Sequence, residues 1–268
     1  MARRHAPRHE KPPQSAPETL TDIAGTWIFG GYLDPEAPDA ARQFLARLWC
    51  LPHLDGDAPR GVVFFPFGAT GQDAYDAFLD GALALWAPAL EHMILKGPSR
   101  FERLILAPQA VAAGRLRHGT AEFRAFARAL PGGDPPGGAG DRLFLFDARA
   151  GDGVASSVLQ GVLADAGYAI HDLAQTPLAQ AVALIGSASM ILTSGSPAED
   201  LVLYAARDTT RIGTLLPSTG DSGADFETLA RAYGFGGAHH TLVPGTGRRL
   251  TAAARDKLRL QLSVQGFL

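Results

Sequence analysis

The feature that most constrains this chain is the rhythm of its second half. Short apolar runs alternate there with segments of helical period: RLFLFD, VASSVLQGVLADAG, YAIHDL, PLAQAVALIGSA, SMILTS, PAEDLVLYAA and RIGTLL. Short apolar strands separated by helices of roughly 10 to 15 residues are the pattern of βαβ units. Strands this uniformly apolar need cover on both faces, so the predicted class is α/β, with a Rossmann-like parallel sheet between two helix layers.

The first half carries a looser version of the same alternation. TWIFGGYL reads as a strand or strand pair, and PDAARQFLARLWCL as a helix with Phe44, Leu45, Leu48 and Trp49 on one face. GVVFFPF reads as a buried strand, DAYDAFLDGALALWAPAL as a helix ending before Pro88, EHMILKG and FERLILAP as short strands, and TAEFRAFARAL as a helix. Between the halves lies PGGDPPGGAGD, residues 131–141, where neither helix nor strand can continue. The expected organisation is a disordered basic tail at 1–20, an α/β lobe at 21–130, the linker, a second lobe at 142–248, and a closing helix at 249–268.

Composition narrows the function classes. A net charge of −3 gives no general electrostatic reason to bind nucleic acid, so small molecules and proteins remain as partners. The single cysteine, Cys50, excludes an internal disulfide framework and a cysteine zinc cluster, and suits a reducing compartment. No apolar run approaches the roughly 18 to 20 residues of a membrane span, and MARRHAPRHEKPPQSAPE lacks the apolar stretch of a signal peptide. The expected location is the cytoplasm; a peripheral membrane role for the basic tail stays open, as does the oligomeric state.

In parallel sheets, ligands bind beyond the carboxyl ends of the strands, here the turns at 147–153, 172–177, 193–199 and 217–222. No GxGxxG follows a first strand, and no P-loop, HExxH, paired CxxC or GxSxG is present. FGATGQD, residues 67–73, lacks the Lys and Ser/Thr that hold phosphate and magnesium, and reads as a loop before a helix. Arg149 has the forked guanidinium that grips phosphate, but Asp147 and Asp152 flank it and offer internal partners. His171 could act as acid or base beside Asp172, or be an ordinary hydrogen-bonded residue. His239 and His240 have no further ligands at metal spacing, so neither metal nor cofactor is implied.

The turn TSGSPAED, residues 193–200, raises a sharper question. Gly195 and the amides around it could cradle a phosphate at a helix start. Ser196 as N-cap, Pro197 in the first turn and Glu199 three residues after the cap instead spell a capping box, with Asp200 adding negative charge where a diphosphate would sit. On that reading only Ser194 and Gly195, outside the box, have amides left for phosphate.

The order of these segments resembles that of family 61 glycosyltransferases, the DUF563 family. The resemblance runs from GTWIFGG near residue 25 to the last helix, and rests on FERLILAP, on GYAIHDLAQTPLAQAVALIGSA, on the turn after SMILTS, and on LLP followed by FETLARAYGF. It implies two Rossmann-like lobes in a GT-B-like arrangement, a nucleotide-sugar substrate held by the second lobe, and sugar transfer to a glycan in bacterial surface-polysaccharide synthesis. On that reading the candidate residues are Asp39 as acceptor base, Arg149, Ser194, Gly195 and Ser196 at the donor phosphates, and His171, Asp172 and Glu199 in the cleft. The chain departs from the family where a histidine and a glutamate usually precede ARLW, since Asp39 and Gln43 stand there. After RLFLFD, where the family has basic residues and Asn-Glu, it offers only Arg149. A non-catalytic relative that binds a glycan or a protein is the alternative.

Overall fold

The computed structural model describes residues 20–56, 58–67, 70–111, 118–129, 141–150, 157–217, 223–243 and 251–268. The expected disordered tail, apart from Leu20, and the Gly/Pro linker, apart from Asp141, lie outside the described residues. Among those described, no helix is long and apolar enough to cross a membrane.

The chain is α/β, with two sheets in which every strand pair is parallel. The first sheet holds β1 (Thr21–Leu33), β2 (Gly61–Pro66), β3 (Glu91–Ile94) and β4 (Ser99–Ile105) in the order β3-β2-β1-β4. Its helices are α1 (Ala40–Leu45), α2 (Gln72–Trp86) and α3 (Ala121–Arg128). Alternation along the strands sends Ile28, Val62, Phe64 and Ile105 to the face these helices cover, where Phe44 of α1 stacks on Phe64 with ring centroids 5.8 Å apart. The expected helix over PDAARQFLARLWCL is shorter than its apolar pattern suggests. It stops at Leu45 and gives way to a 3₁₀ segment, Leu48–His53, containing Pro52, which has no N–H to continue an α-helical ladder.

Among the described residues, helices cover only one face of this sheet. Trp27, Phe29, Val63, Phe65 and Leu104 lie on the other, where Trp27 and Val63 are buried but Phe65 and Leu104 are exposed. The reason lies in the connection from β3 to β4. Only Leu95–Pro98 joins them, too few residues for the crossover helix that normally covers a parallel sheet.

The second sheet has the order β6-β5-β7-β8-β9, built from β5 (Arg142–Phe146), β6 (Ala169–Asp172), β7 (Met190–Thr193), β8 (Arg211–Pro217) and β9 (His239–Val243). Both faces are covered. On one, α5 (Leu178–Ser187), α6 (Ser196–Ala205) and α7 (Gly223–Ala232) pack in a core continuous with that of the first sheet. On the other, α4 (Ser157–Asp165) and α8 (Ala252–Val264) bury Phe144, Leu163, Leu258, Leu262 and Phe267. Gly213 on β8 makes room for Phe267, since a Cβ there would lie 2.7 Å from the ring. The closing helix is thus part of this lobe, and β9, which sequence reasoning missed, completes its edge.

The lobes meet helix to helix. Arg128 at the end of α3 donates to the carbonyls of Leu203 (2.9 Å) and Ala206 (3.2 Å) at the end of α6, pairs with Asp208, and lies over the Phe235 ring. A cation at a helix C-terminus satisfies carbonyls that the helix leaves unpaired.

Candidate functional site

A cleft of about 280 Å³ opens where the carboxyl ends of β1, β5 and β6 converge. Its walls come from residues 35–42 of the first lobe, and from Asp147, Arg149, the 173–178 turn and Asp200 of the second. The strand order of the second sheet reverses between β5 and β7, because β6 lies on one side of β5 and β7 on the other. That reversal leaves a crevice between the turns that follow the two strands, the usual ligand position in an open α/β sheet. The four candidate turns thereby reduce to one principal pair, Asp147–Ala150 and Ser194–Gly195.

Two arginines reach the cleft, and both are engaged by the protein's own carboxylates. Arg149 donates from Nε to Asp147 Oδ1 at 2.9 Å and from Nη2 to Asp147 Oδ2 at 2.6 Å, while Nη1 donates to the Glu36 carbonyl of the first lobe at 3.1 Å. Asp147 is only 2% exposed. Its hydrogen bonds hold the Arg149 guanidinium above its ordinary pKa against the opposing effect of burial. The pair is neutral as a unit, so the expectation of Arg149 as a free phosphate grip is corrected. It acts in this state as a strut between the lobes. Asp152, its other possible partner, lies outside the described residues.

The second arginine, Arg42, was missed by sequence reasoning. It donates to Asp39 at 2.6 Å within α1 and to Asp200 of α6 at 3.1 Å across the cleft. Burial works against its charge, but Asp200 and then Asp39 outweigh that effect and raise its pKa. The Asp39–Arg42 spacing of three is a local helix pairing that a sequence can suggest. Asp200, distant in sequence, could not be found that way.

Asp39 does stand at the cleft as expected, but both of its oxygens are committed, Oδ2 to Arg42 and Oδ1 to Gln43 Nε2 at 2.8 Å. Gln43 in turn accepts from the Asp34 amide at 2.9 Å, so the residue that replaces an expected glutamate is a brace.

The remaining cleft candidates separate. His171 is half-buried on the edge strand β6, paired with Leu145, and does not line the cleft. Asp172 accepts from the amides of Ala148 (3.0 Å) and Ala174 (2.9 Å), which ties the β5 and β6 turns together; it shapes the site without facing it. His240 pairs with Glu227 at 2.7 Å, and among the described residues no three His, Cys, Asp or Glu side chains gather to hold a metal ion.

The TSGSPAED turn differs from its sequence reading. The N-cap of α6 is Gly195, which has no side chain to cap the helix, not Ser196. Gly195 has φ 98°, a region that side-chain-bearing residues avoid, and this shifts the helix start by one residue. Glu199 consequently falls outside capping-box register. It is 3% exposed, and its Oε1 accepts from the Thr214 hydroxyl of β8 at 2.7 Å. The Ser194 amide is used by the Leu145 carbonyl at 3.0 Å, whereas its hydroxyl, 1% exposed, finds no hydrogen-bond partner among the described residues. Neither Ser194 nor Gly195 lines the inter-lobe cleft, and the Ser196 side chain lies outside what the structure describes. The N-terminus of α6, with Gly195 as its N-cap and Glu199 in its first turn, thus lies at the strand-order reversal.

Comparison with known proteins finds no family model that matches the chain and no curated protein of significant similarity.

Proposed function

We propose that the protein is a family-61-like glycosyltransferase of two Rossmann-like lobes in a GT-B-like arrangement. It transfers a sugar from a nucleotide-sugar donor to a glycan acceptor in bacterial surface-polysaccharide synthesis. The donor diphosphate sits at the turn between β7 and α6, and the acceptor enters from the Asp39 side. The observation that carries this reading is the start of α6, whose N-cap is Gly195 and which is placed at the strand-order reversal beside the Ser194 hydroxyl. Sugar transfer develops negative charge on the leaving diphosphate, and a preorganised helix N-terminus stabilises such charge without a metal ion. The acceptor hydroxyl must lose a proton, and Asp39 is the cleft carboxylate on the acceptor side; it acts as base once the acceptor displaces Gln43 or Arg42 from its oxygens.

A second reading, a non-catalytic relative that binds a glycan or a protein partner, is favoured by the engagement of both cleft arginines and both Asp39 oxygens. Calorimetric titration with UDP-, GDP- and CMP-sugars, with and without divalent metal, separates the two. The enzyme reading expects binding by one nucleotide class, nucleotide release in the presence of acceptor, and an Asp39→Asn variant that binds donor but turns over at least 100-fold more slowly. Absence of binding at millimolar donor rejects the enzyme reading and leaves the second.

A further inference from the structure

The outer face of the first sheet points to a second copy of this chain. We propose that the protein forms a two-fold dimer in which this face packs against its symmetry mate. Tyr32 is 61% exposed, Leu106 67% and Phe67 50%, with Phe65 and Leu104 also in water. These side chains are contiguous, since the Tyr32 and Phe65 rings are 5.6 Å apart, the Tyr32 and Phe67 rings 6.3 Å, and Phe65, Leu104 and Leu106 line one shallow hollow. Parallel sheets are normally buried on both faces, and no helix among the described residues covers this one.

Area, charge and composition favour a second copy as the occupant. Five such side chains expose on the order of 500 Å² of apolar surface, already at the upper range for a patch on a monomer. The half-buried Phe29, Phe101 and Leu95 around them bring the face toward the roughly 800 Å² per partner of a standard stable interface. Around the sheet, Arg60 pairs with Glu91 at 2.9 Å, Arg100 with Asp22 at 3.7 Å, and Glu102 with the Gly25 amide at 2.7 Å, while Lys96 and Arg103 are exposed. The patch itself, Tyr32, Phe65, Phe67, Leu104 and Leu106, carries no charged side chain, and such an apolar, aromatic patch is complementary to itself under a two-fold axis.

Sedimentation equilibrium of the full chain at tens of micromolar tests this. The expected result is twice the chain mass for the wild type and a single chain mass for Leu106→Asp and, separately, Tyr32→Lys. Both positions are exposed, and circular dichroism checks that each variant remains folded. Val264→Asp on the exposed side of α8 should remain dimeric. A monomeric wild type overturns the proposal, as does a dimer that survives both substitutions. A monomer that floats with phosphatidylcholine vesicles assigns the face to lipid and likewise overturns it.

Discussion

The two sheets share an all-parallel pattern but solve different burial problems. The second has helices on both faces and reverses its strand order in the middle, and its ligand crevice follows from topology. Among the described residues the first has helices on one face only, because a four-residue connection replaces its last crossover helix. The strand-order reversal therefore belongs to the second lobe. The first lobe adds one wall of the cleft and an apolar face that its own helices do not cover.

The largest expected effect contrasts the cores directly. Phe144, fully buried in the second sheet, should cost about 3–5 kcal/mol when changed to Ala, whereas Phe65→Ala on the outer face should cost less than about 1.5 kcal/mol in the monomer. Urea unfolding of both variants reads the difference, and equal losses would erase the distinction between the lobes.

The joint between the lobes comes next. Arg42→Ala removes the guanidinium from the partly buried Asp39 and Asp200 and should cost about 2 kcal/mol, reduced from the fully buried case by residual solvent. Adding Asp200→Asn should recover part of that loss in a double-mutant cycle. Additive effects would mean that the pair does not couple the lobes.

A smaller effect is expected from Gly195→Ala, which forces a side chain into φ 98° and should cost about 1–2 kcal/mol in thermal or urea unfolding. A neutral outcome would show that the turn can relax into a conformation tolerant of a side chain.

Alkaline pH should weaken the molecule gradually. Burial raises the phenol pKa values of Tyr204, Tyr233 and Tyr168, the first two at the lobe interface. Above about pH 10 the unfolded chain releases tyrosine protons that the folded chain retains. Stability is thus fully present below that pH and lost as pH rises toward the raised values. Thermal melts between pH 9 and 11 should show a falling Tm, and Tyr204→Phe should flatten the slope.

Much of the fold was legible because apolar periodicity is a local signal. The strands RLFLFD, SMILTS and RIGTLL and the helices between them occur where their patterns indicate. β9 was not legible, since His239–Val243 opens with two histidines and has little apolar run of its own. The site was legible only in part. Asp147 and Arg149 are two residues apart, so their pairing could be anticipated; Arg42 with Asp200 and Glu199 with Thr214 are joined only by the fold. The capping box failed for a related reason. A local motif specified Ser196 as cap, but the Gly195 backbone and a hydroxyl from β8 determined where the helix began and where Glu199 turned.

The most direct test of the central claim, that the second lobe holds the ligand edge while the outer face of the first is for association, is UDP, GDP and CMP titration of two variants by calorimetry. The account predicts that Gly195→Ala weakens the nucleotide that binds the wild type by at least about tenfold, or 1.4 kcal/mol, while Leu106→Asp leaves its affinity unchanged. Nucleotide binding insensitive to Gly195→Ala, or lost in a folded Leu106→Asp variant, would contradict it.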